Sequence, residues 1–261
     1  MREGVGLPGR SELVVYGRHA VREAIGSDGA RVLEVMLARG ASAEDRRALR
    51  ALIEPEGIPL EELTRDALTQ QTGASRHDQG VAARIELQRV SELEAFLERR
   101  KGRAARQPLR LLGLDGVTNP QNVGMVVRSV VAAGLDGLVW PRVGQPWVNG
   151  LVVRAAAGAI FECPILVCDR LESAVATLQA SGVTCIGLDA EASTPLFSLE
   201  PPHRAAWLLG SESQGLSPDV RSLLDACVSI PMAGRIESLN VAVAAGLVCF
   251  HAAGLLRPAS A

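Results

Sequence analysis

The alternation of apolar and polar positions predicts two α/β domains of different construction. Over residues 13–88, short apolar runs alternate with amphipathic helical segments, as in a compact α/β unit. In this unit we expect Ser42 to cap a helix that runs to about Ile53. Over residues 109–258, apolar runs typical of buried strands are separated by helical segments. This regular alternation predicts a mostly parallel sheet with helices on both faces. Residues 1–12, which combine glycines with charges, predict a disordered leader.

Residues 89–108 predict the boundary between the two domains. Ser91 followed by Glu94 matches a capping box, with Ser91 as the N-cap of a helix. That helix leads into the densest basic segment of the chain: Arg99, Arg100, Lys101, Arg103, Arg106 and Arg110. Such a charge run indicates either a solvated helix end and linker or a contact with RNA phosphates, and the sequence leaves both open.

Polar residues follow the first predicted strand of the second domain. The strand ends near Asp115, and we expect Asn122 to cap a helix that starts at Val123. Arg128 falls in this helix among valines, where an arginine needs a partner or a route to solvent. A surface or interface arginine is the alternative interpretation.

Two later strands also end in unusual residues. One ends at Gly210, and Ser217 followed by a proline predicts the start of the next helix. Another, Cys227 to Ile230, precedes a loop and then Ser238, which we expect to cap an apolar helix from Leu239 to Leu256. An ordinary strand–helix loop and a capped core helix are the simpler interpretations. Ligands of open parallel sheets, however, bind at such strand ends.

Composition narrows the class of protein. The chain is 48% hydrophobic with a net charge of −2, so it is globular and has no overall electrostatic attraction for nucleic acid. The five cysteines lie in apolar surroundings without a C-x-x-C pair, which favours reduced thiols over disulfides or zinc. No apolar run approaches the roughly 18 residues of a membrane span, and no secretory signal is present, so we expect a cytoplasmic protein without membrane contact.

Several common active sites are excluded by their missing motifs. The loop after Gly210 matches neither G-x-G-x-x-G nor G-x-x-x-x-G-K-[ST], so this strand end lacks the usual phosphate-binding loop. No G-x-S-x-G or metal-ligand spacing is present. The four histidines are scattered: His19, His77, His203 and His251. A nucleotide-dependent oxidoreductase of the α/β class is therefore disfavoured.

Taken together, the three strand-end segments resemble the three motifs of SpoU-type RNA ribose 2′-O-methyltransferases of the SPOUT superfamily. The similar segments are Asn119-Pro120-Gln121-Asn122-Val123-Gly124 with Arg128, Leu209-Gly210-Ser211-Glu212 with Gly215-Leu216-Ser217, and Ile230-Pro231-Met232 through Ser238-Leu239-Asn240-Val241. The segment 13–87 resembles the ribosomal-protein-like substrate-binding domain that often precedes this catalytic domain. It departs from that pattern at Asp78, which stands between His77 and Gln79 where relatives usually read His-Gln-Gly.

The resemblance implies a fold, a cofactor and a set of site residues. It implies a trefoil knot at the C-terminal end of the catalytic domain, S-adenosylmethionine bound in that knot, a homodimer and no metal. Arg128 matches the catalytic arginine, and the other residues matching catalytic positions are Asn122, Glu212, Ser238 and Asn240. The residues matching cofactor contacts are Leu209, Gly210, Ile230, Met232 and Leu239. We expect RNA contacts at Arg18, His19, Arg99, Arg100, Lys101 and Arg103.

The expected substrate is a structured RNA. An N-terminal binding domain followed by a basic linker favours rRNA over tRNA. The near-neutral net charge and the altered N-terminal motif keep open an alternative, a non-catalytic RNA-binding or ribosome-assembly factor with the same fold.

Overall fold

A computed structural model describes residues 12–74, 78–102, 106–234 and 238–256 of the chain. Its contacts form two compact units, the first of residues 1–90 with 148–162 and the second of residues 91–147 with 163–261. Segment 148–162 falls within the predicted second domain but packs with the first unit. The predicted leader lies outside the described residues except for Glu12.

The first unit is built on a four-stranded sheet of order β1-β4-β2-β3. Strand β4 pairs antiparallel with both β1 and β2, and β3 joins β2 in parallel. The elements are β1 (Glu12–Tyr16), α1 (Arg18–Ile25), β2 (Ala30–Ala38), α2 (Ala43–Ile53), β3 (Leu60–Leu63), α3 (Arg65–Thr72) and β4 (Val81–Leu87). Strand β3 was not predicted; Leu63 ends it, and Thr64 then caps α3 by accepting from the Ala67 N–H at 3.3 Å.

The second unit contains a seven-stranded sheet of order β11-β9-β10-β6-β7-β8-β5. Every pair from β11 to β8 is parallel, which confirms the predicted α/β architecture with a mostly parallel sheet. The strands are β5 (Val90–Glu92), β6 (Leu109–Asp115), β7 (Gly137–Pro141), β8 (Ile165–Cys168), β9 (Thr184–Leu188), β10 (Arg204–Gly210) and β11 (Ala226–Val228). The helices are α4 (Leu93–Arg99), α5 (Pro120–Ala132), α6 (Gly150–Ala156), α7 (Ala159–Glu162), α8 (Leu171–Ala180), α9 (Pro218–Arg221) and α10 (Val241–Ala252), of which α6 and α7 pack with the first unit.

Helix starts follow the predicted caps at some positions and not at others. Ser42 and Ser217 cap α2 and α9 as expected, each accepting from an N–H three residues on. The capping box at Ser91 was wrong, because Ser91 belongs to β5 and α4 starts after Glu92 without a side-chain cap.

The caps of the two motif helices also differ from prediction. Asn119, not Asn122, caps α5 by accepting from the Gln121 N–H at 2.9 Å, and Pro120 takes the first helical position. Asn240, not Ser238, caps α10 by accepting from the Ala242 N–H at 3.0 Å. Asn122 is thereby left free to use its side chain elsewhere.

The five cysteines of the second unit are free thiols, and all but Cys227 are buried. Burial raises the pKa of the Cys163 and Cys185 thiols to about 12, so both stay protonated at neutral pH. Among the described helices, none has the length and apolar character that crossing a bilayer requires.

Candidate active site

The loop after β10 is closed on itself by backbone hydrogen bonds. The Ser211 N–H donates to the Gly215 carbonyl at 3.1 Å, and the Gly215 N–H returns a bond to the Ser211 carbonyl at 2.9 Å. Gly215 has φ +66°, a left-handed conformation that glycine adopts without penalty. A Cβ added to Gly210 would lie 1.9 Å from the carbonyl carbon of Gly215, so only glycine fits there.

This loop presents Glu212 to two asparagines from distant segments. The Asn122 Nδ2 donates to Glu212 Oε1, and the Asn240 Nδ2 lies 3.5 Å from the same oxygen. The Asn240 Nδ2 also donates to the Asn122 Oδ1 at 3.1 Å. We call Asn122, Glu212 and Asn240 the Asn–Glu–Asn cluster. It joins the first turn of α5, the β10 loop and the N-cap of α10, and thus all three motif segments.

Asp115 makes a second link between strand ends. Its Oδ2 accepts from the Ser217 N–H at 2.7 Å, so the end of β6 is tied to the start of α9. Because β6 and β10 are parallel neighbours with Gly210 opposite Asp115, their carboxyl ends lie at one edge of the sheet. The sequence placed Asp115 at a strand end but gave it no role.

A cavity of about 330 Å³ lies beside the cluster. All five residues predicted to contact a cofactor line it, together with Glu212 and Ser238. Its other walls come from the end of β9, from Leu216 and Arg221, and from the first turns of α10. The loop from Pro231 to Glu237 is only partly described: Met232 lines the cavity, while residues 235–237 lie outside the described residues.

Two charged residues that line this cavity, Asp189 and Arg221, were not predicted from the sequence. Asp189 follows β9, and its Oδ2 pairs with the Arg221 Nη2 at 2.6 Å while its Oδ1 accepts from the Glu191 N–H at 2.9 Å. Its side chain is only 12% exposed, so the cavity has a fixed carboxylate on the side of β9. An aspartate directly after a predicted strand was the available signal, the same one that marked Asp115.

Arg128 is not brought into the cluster or the cavity lining. It is exposed on α5, on one stripe with Gln121 and Met125 at helical spacing. Within the described part of the chain its guanidinium has no ion pair or hydrogen bond. The predicted catalytic arginine therefore faces outward with its donors available.

The residues expected to contact RNA through the linker are partly neutralised by their own neighbours. Arg100 pairs with Asp136 at 2.9 Å and stacks over Phe96, and Lys101 pairs with Glu98 at 2.5 Å. Arg99 is exposed at the end of α4. Arg103 lies outside the described residues.

In the first unit, Asp78 explains the departure from the expected motif. It is fully buried, accepts from the Gly80 N–H at 2.9 Å, and pairs with Arg65 at 2.6 Å. Gln79, which lies between Asp78 and Gly80 in the chain, adopts φ +51°. Its side-chain oxygen accepts from the Arg18 N–H at 3.0 Å. His19, predicted to contact RNA, is exposed and lies 3.0 Å from Glu23.

Fold and site together define a two-domain RNA methyltransferase. A model of the SpoU rRNA Methylase family matches residues 110–250, and a model described as RNA 2′-O ribose methyltransferase substrate binding matches residues 14–90. The chain belongs to the SpoU rRNA methylase family.

Its relatives cover nearly the whole chain. The 23S rRNA (guanosine-2′-O-)-methyltransferase RlmB of Xanthomonas axonopodis pv. citri is 35% identical over 91% of this chain and 94% of its own length. RlmB of Yersinia pestis is 33% identical over 91% and 95%. Among solved structures, the SpoU methyltransferase AviRb from Streptomyces viridochromogenes, in complex with the cofactor AdoMet, is 26% identical with a TM-score of 0.69, covering 93% of this chain and 90% of that one.

The close approach at Gly210 generates a stability prediction. Gly210→Ala should lower the free energy of unfolding by about 3 kcal/mol, because the new methyl group meets backbone that cannot rotate away. Tryptophan fluorescence in urea reports this directly, since all three tryptophans lie in the second unit. Gly234→Ala is the control: a Cβ there meets nothing within 4 Å and should change stability by less than about 0.5 kcal/mol. Equal effects of the two substitutions would contradict the steric argument.

Proposed function

We propose that the chain transfers the methyl group of S-adenosylmethionine to a ribose 2′-hydroxyl of 23S rRNA, on a guanosine nucleotide as in the named relatives. The main support for this proposal is the Asn–Glu–Asn cluster, which brings the three motif segments together beside the cavity. The family-specific substrate-binding match over residues 14–90 supports a large RNA as the substrate.

The cavity suits this cofactor in shape and charge. Its volume of about 330 Å³ falls in the range of small-molecule sites, and leucines, Ile230 and Met232 offer apolar surface to an adenine ring. Gly210 lets the β10 loop fold back on its own strand, and both Gly210 and Gly215 line the cavity. Arg221 pairs with Asp189, so the carboxylate of Glu212 leaves the lining with a net negative charge, which suits a ligand with cationic groups. When bound, the cofactor supplies an electrophilic methyl group on a sulfonium.

We assign the residues of the chain to positioning and proton handling. Glu212 and Asn240 hold Asn122 in one orientation, and Ser238 stands exposed at the cavity. An arginine stays protonated in proteins, so Arg128 acts as a cation that binds the phosphate beside the target ribose. The phosphate held on Arg128 orients the 2′-hydroxyl, whose proton leaves to solvent as the methyl group is transferred, and correct placement of the groups supplies much of the rate.

We also propose that the chain works as a homodimer through α5 and α10. These helices pack against each other and leave apolar residues exposed, Met125 at 41% and Val243 at 54%. Arg128 lies on the same stripe as Met125, so a second copy on this face would stand next to the catalytic arginine. Exposed apolar side chains on two helices that pack together are consistent with an interface there.

The dimer prediction is tested by charge insertion. Val243→Glu should convert a dimer to a monomer in analytical ultracentrifugation, because the carboxylate would be buried without a partner. Val143→Glu, at a residue 53% exposed in the loop after β7, should leave the mass unchanged. A wild-type monomer at micromolar concentration would exclude the proposal.

A trefoil knot within the second unit is part of the same proposal. It is supported by β10 lying between β6 and β9 while the later β11 pairs beyond β9. Pulling the two ends in optical tweezers should leave a fully stretched chain measurably shorter than an unknotted chain of equal length.

The mechanism generates a prediction for Arg128. Arg128→Ala should reduce methyl transfer to 23S rRNA by on the order of a hundredfold or more, since the RNA phosphate loses its cation. The Kd for S-adenosylmethionine by calorimetry should stay at the wild-type value, because Arg128 does not line the cavity. Arg170→Ala, another exposed arginine of the second unit, is the control and should remain active. Full activity of the Arg128 variant would refute its role.

A further inference from the structure

One cavity of the first unit is not accounted for by methyl transfer. It measures about 440 Å³ and is bounded by α1, α2, β2 and the turn before β4. Its floor is apolar and firmly packed: Val21, Leu37, Leu49 and Val81 are all buried. A rigid apolar floor of this size accepts a flat ring rather than a lone ion.

Cations outnumber anions around the cavity. Arg18, Arg22 and Arg65 line it, against the single carboxylate of Asp45. Arg18 pairs with Asp45 at 2.7 Å, and Arg65 pairs with the buried Asp78 at 2.6 Å. Arg22 is exposed, and its guanidinium has no ion pair among the described residues. The rim thus carries an uncompensated positive charge, which suits an anionic ligand.

The wall on the side of β4 is fixed in a strained conformation. Gln79 is a non-glycine residue at φ +51°, and the fully buried Asp78 holds the turn through the Gly80 N–H and Arg65. Gln79 in turn accepts from the Arg18 N–H at the start of α1. Strain that the surroundings enforce is common where a ligand site is preorganised.

We propose that this cavity receives one unstacked nucleobase of the RNA substrate, with a flanking phosphate on Arg22. The proposal rests on the RNA substrate of the proposed function and adds the place where the first unit reads it. The base would lie on the apolar floor, and Gln79 offers an amide for its edge. Arginine planes can stack on a base where aromatic side chains are lacking, and the described lining has no aromatic residue.

A nucleotide matches both the apolar floor and the positively charged rim of the cavity better than other occupants do. An apolar protein side chain would use the floor but gain nothing from the arginine rim. A free phosphate would use the rim but not the floor. A nucleotide within an RNA strand has both a ring and a flanking anion, so it is the ligand we choose.

Filling the cavity mouth gives the direct test. Ala48 is exposed on α2 and lines the cavity, so Ala48→Trp should occupy the space meant for the base without disturbing the core. Ala51 is exposed on the same helix but does not line the cavity, and Ala51→Trp is the matched control. The full chain is assayed with a protein-free, unmodified 23S rRNA transcript and saturating S-adenosylmethionine.

Ala48→Trp should raise the KM for the transcript roughly tenfold, the order expected when one stacked base is lost. Its Kd for S-adenosylmethionine should match wild type, which also shows that the second unit is folded. Ala51→Trp should change neither value. An unchanged KM for the Ala48 variant overturns the proposal, even if methylation of ribosomal particles falls, since that pattern indicates a protein occupant. An equal rise for both tryptophan variants also overturns it.

The phosphate contact has its own test. Arg22→Ala should weaken transcript binding. The plot of the logarithm of the association constant against the logarithm of the salt concentration has a negative slope, and the variant should make this slope shallower by about one, as for the loss of one phosphate contact. Arg47→Ala, at an exposed arginine of α2 that does not line the cavity, should leave the slope unchanged. An unchanged slope for Arg22→Ala removes the phosphate from the proposal. If the wild-type chain methylates no RNA, the proposed function fails instead, which separates the two failures.

Discussion

The carboxylate of Glu212 joins three segments that lie far apart in the chain. It accepts from Asn122, 90 residues earlier, and lies beside the amide of Asn240, 28 residues later. Asn122 is nearly buried, so losing its acceptor would leave a polar group unpaired at a cost of about 1–3 kcal/mol. The geometry of the cavity depends on these contacts, because Glu212 itself lines the cavity and Asn240 caps α10, whose first turns form one of its walls.

Parallel pairing explains why these segments can meet at all. Strands β6, β9 and β10 run side by side in one direction, so the loops after them emerge at the same edge. Asp115 ties two of these loops together, and Gly210 lets the β10 loop fold back onto its own strand. Arg128 lies on the exposed face of α5, outside the cavity lining.

Much of this arrangement was readable from the sequence, and the failures have physical causes. The buried apolar runs predicted the parallel sheet, and serines before helices at Ser42 and Ser217 predicted two caps. Local pattern could not decide between Asn119 and Asn122, because Asn122 is claimed by a carboxylate from a distant loop. Asp78 is a similar case, because it is stabilised by a buried ion pair with Arg65 that no local motif predicts. Whether the predicted site residues act as assigned stays a prediction.

The most direct measurement follows the methyl group itself. The full chain is incubated with an unmodified 23S rRNA transcript and S-adenosylmethionine labelled in its methyl group, and the RNA is then hydrolysed in alkali. A 2′-O-methyl group blocks cleavage of the adjacent phosphodiester, so the account predicts that the label appears in one alkali-resistant dinucleotide with guanosine as its 5′ member. Label in mononucleotides, which would indicate base methylation, or no label at all would contradict the account.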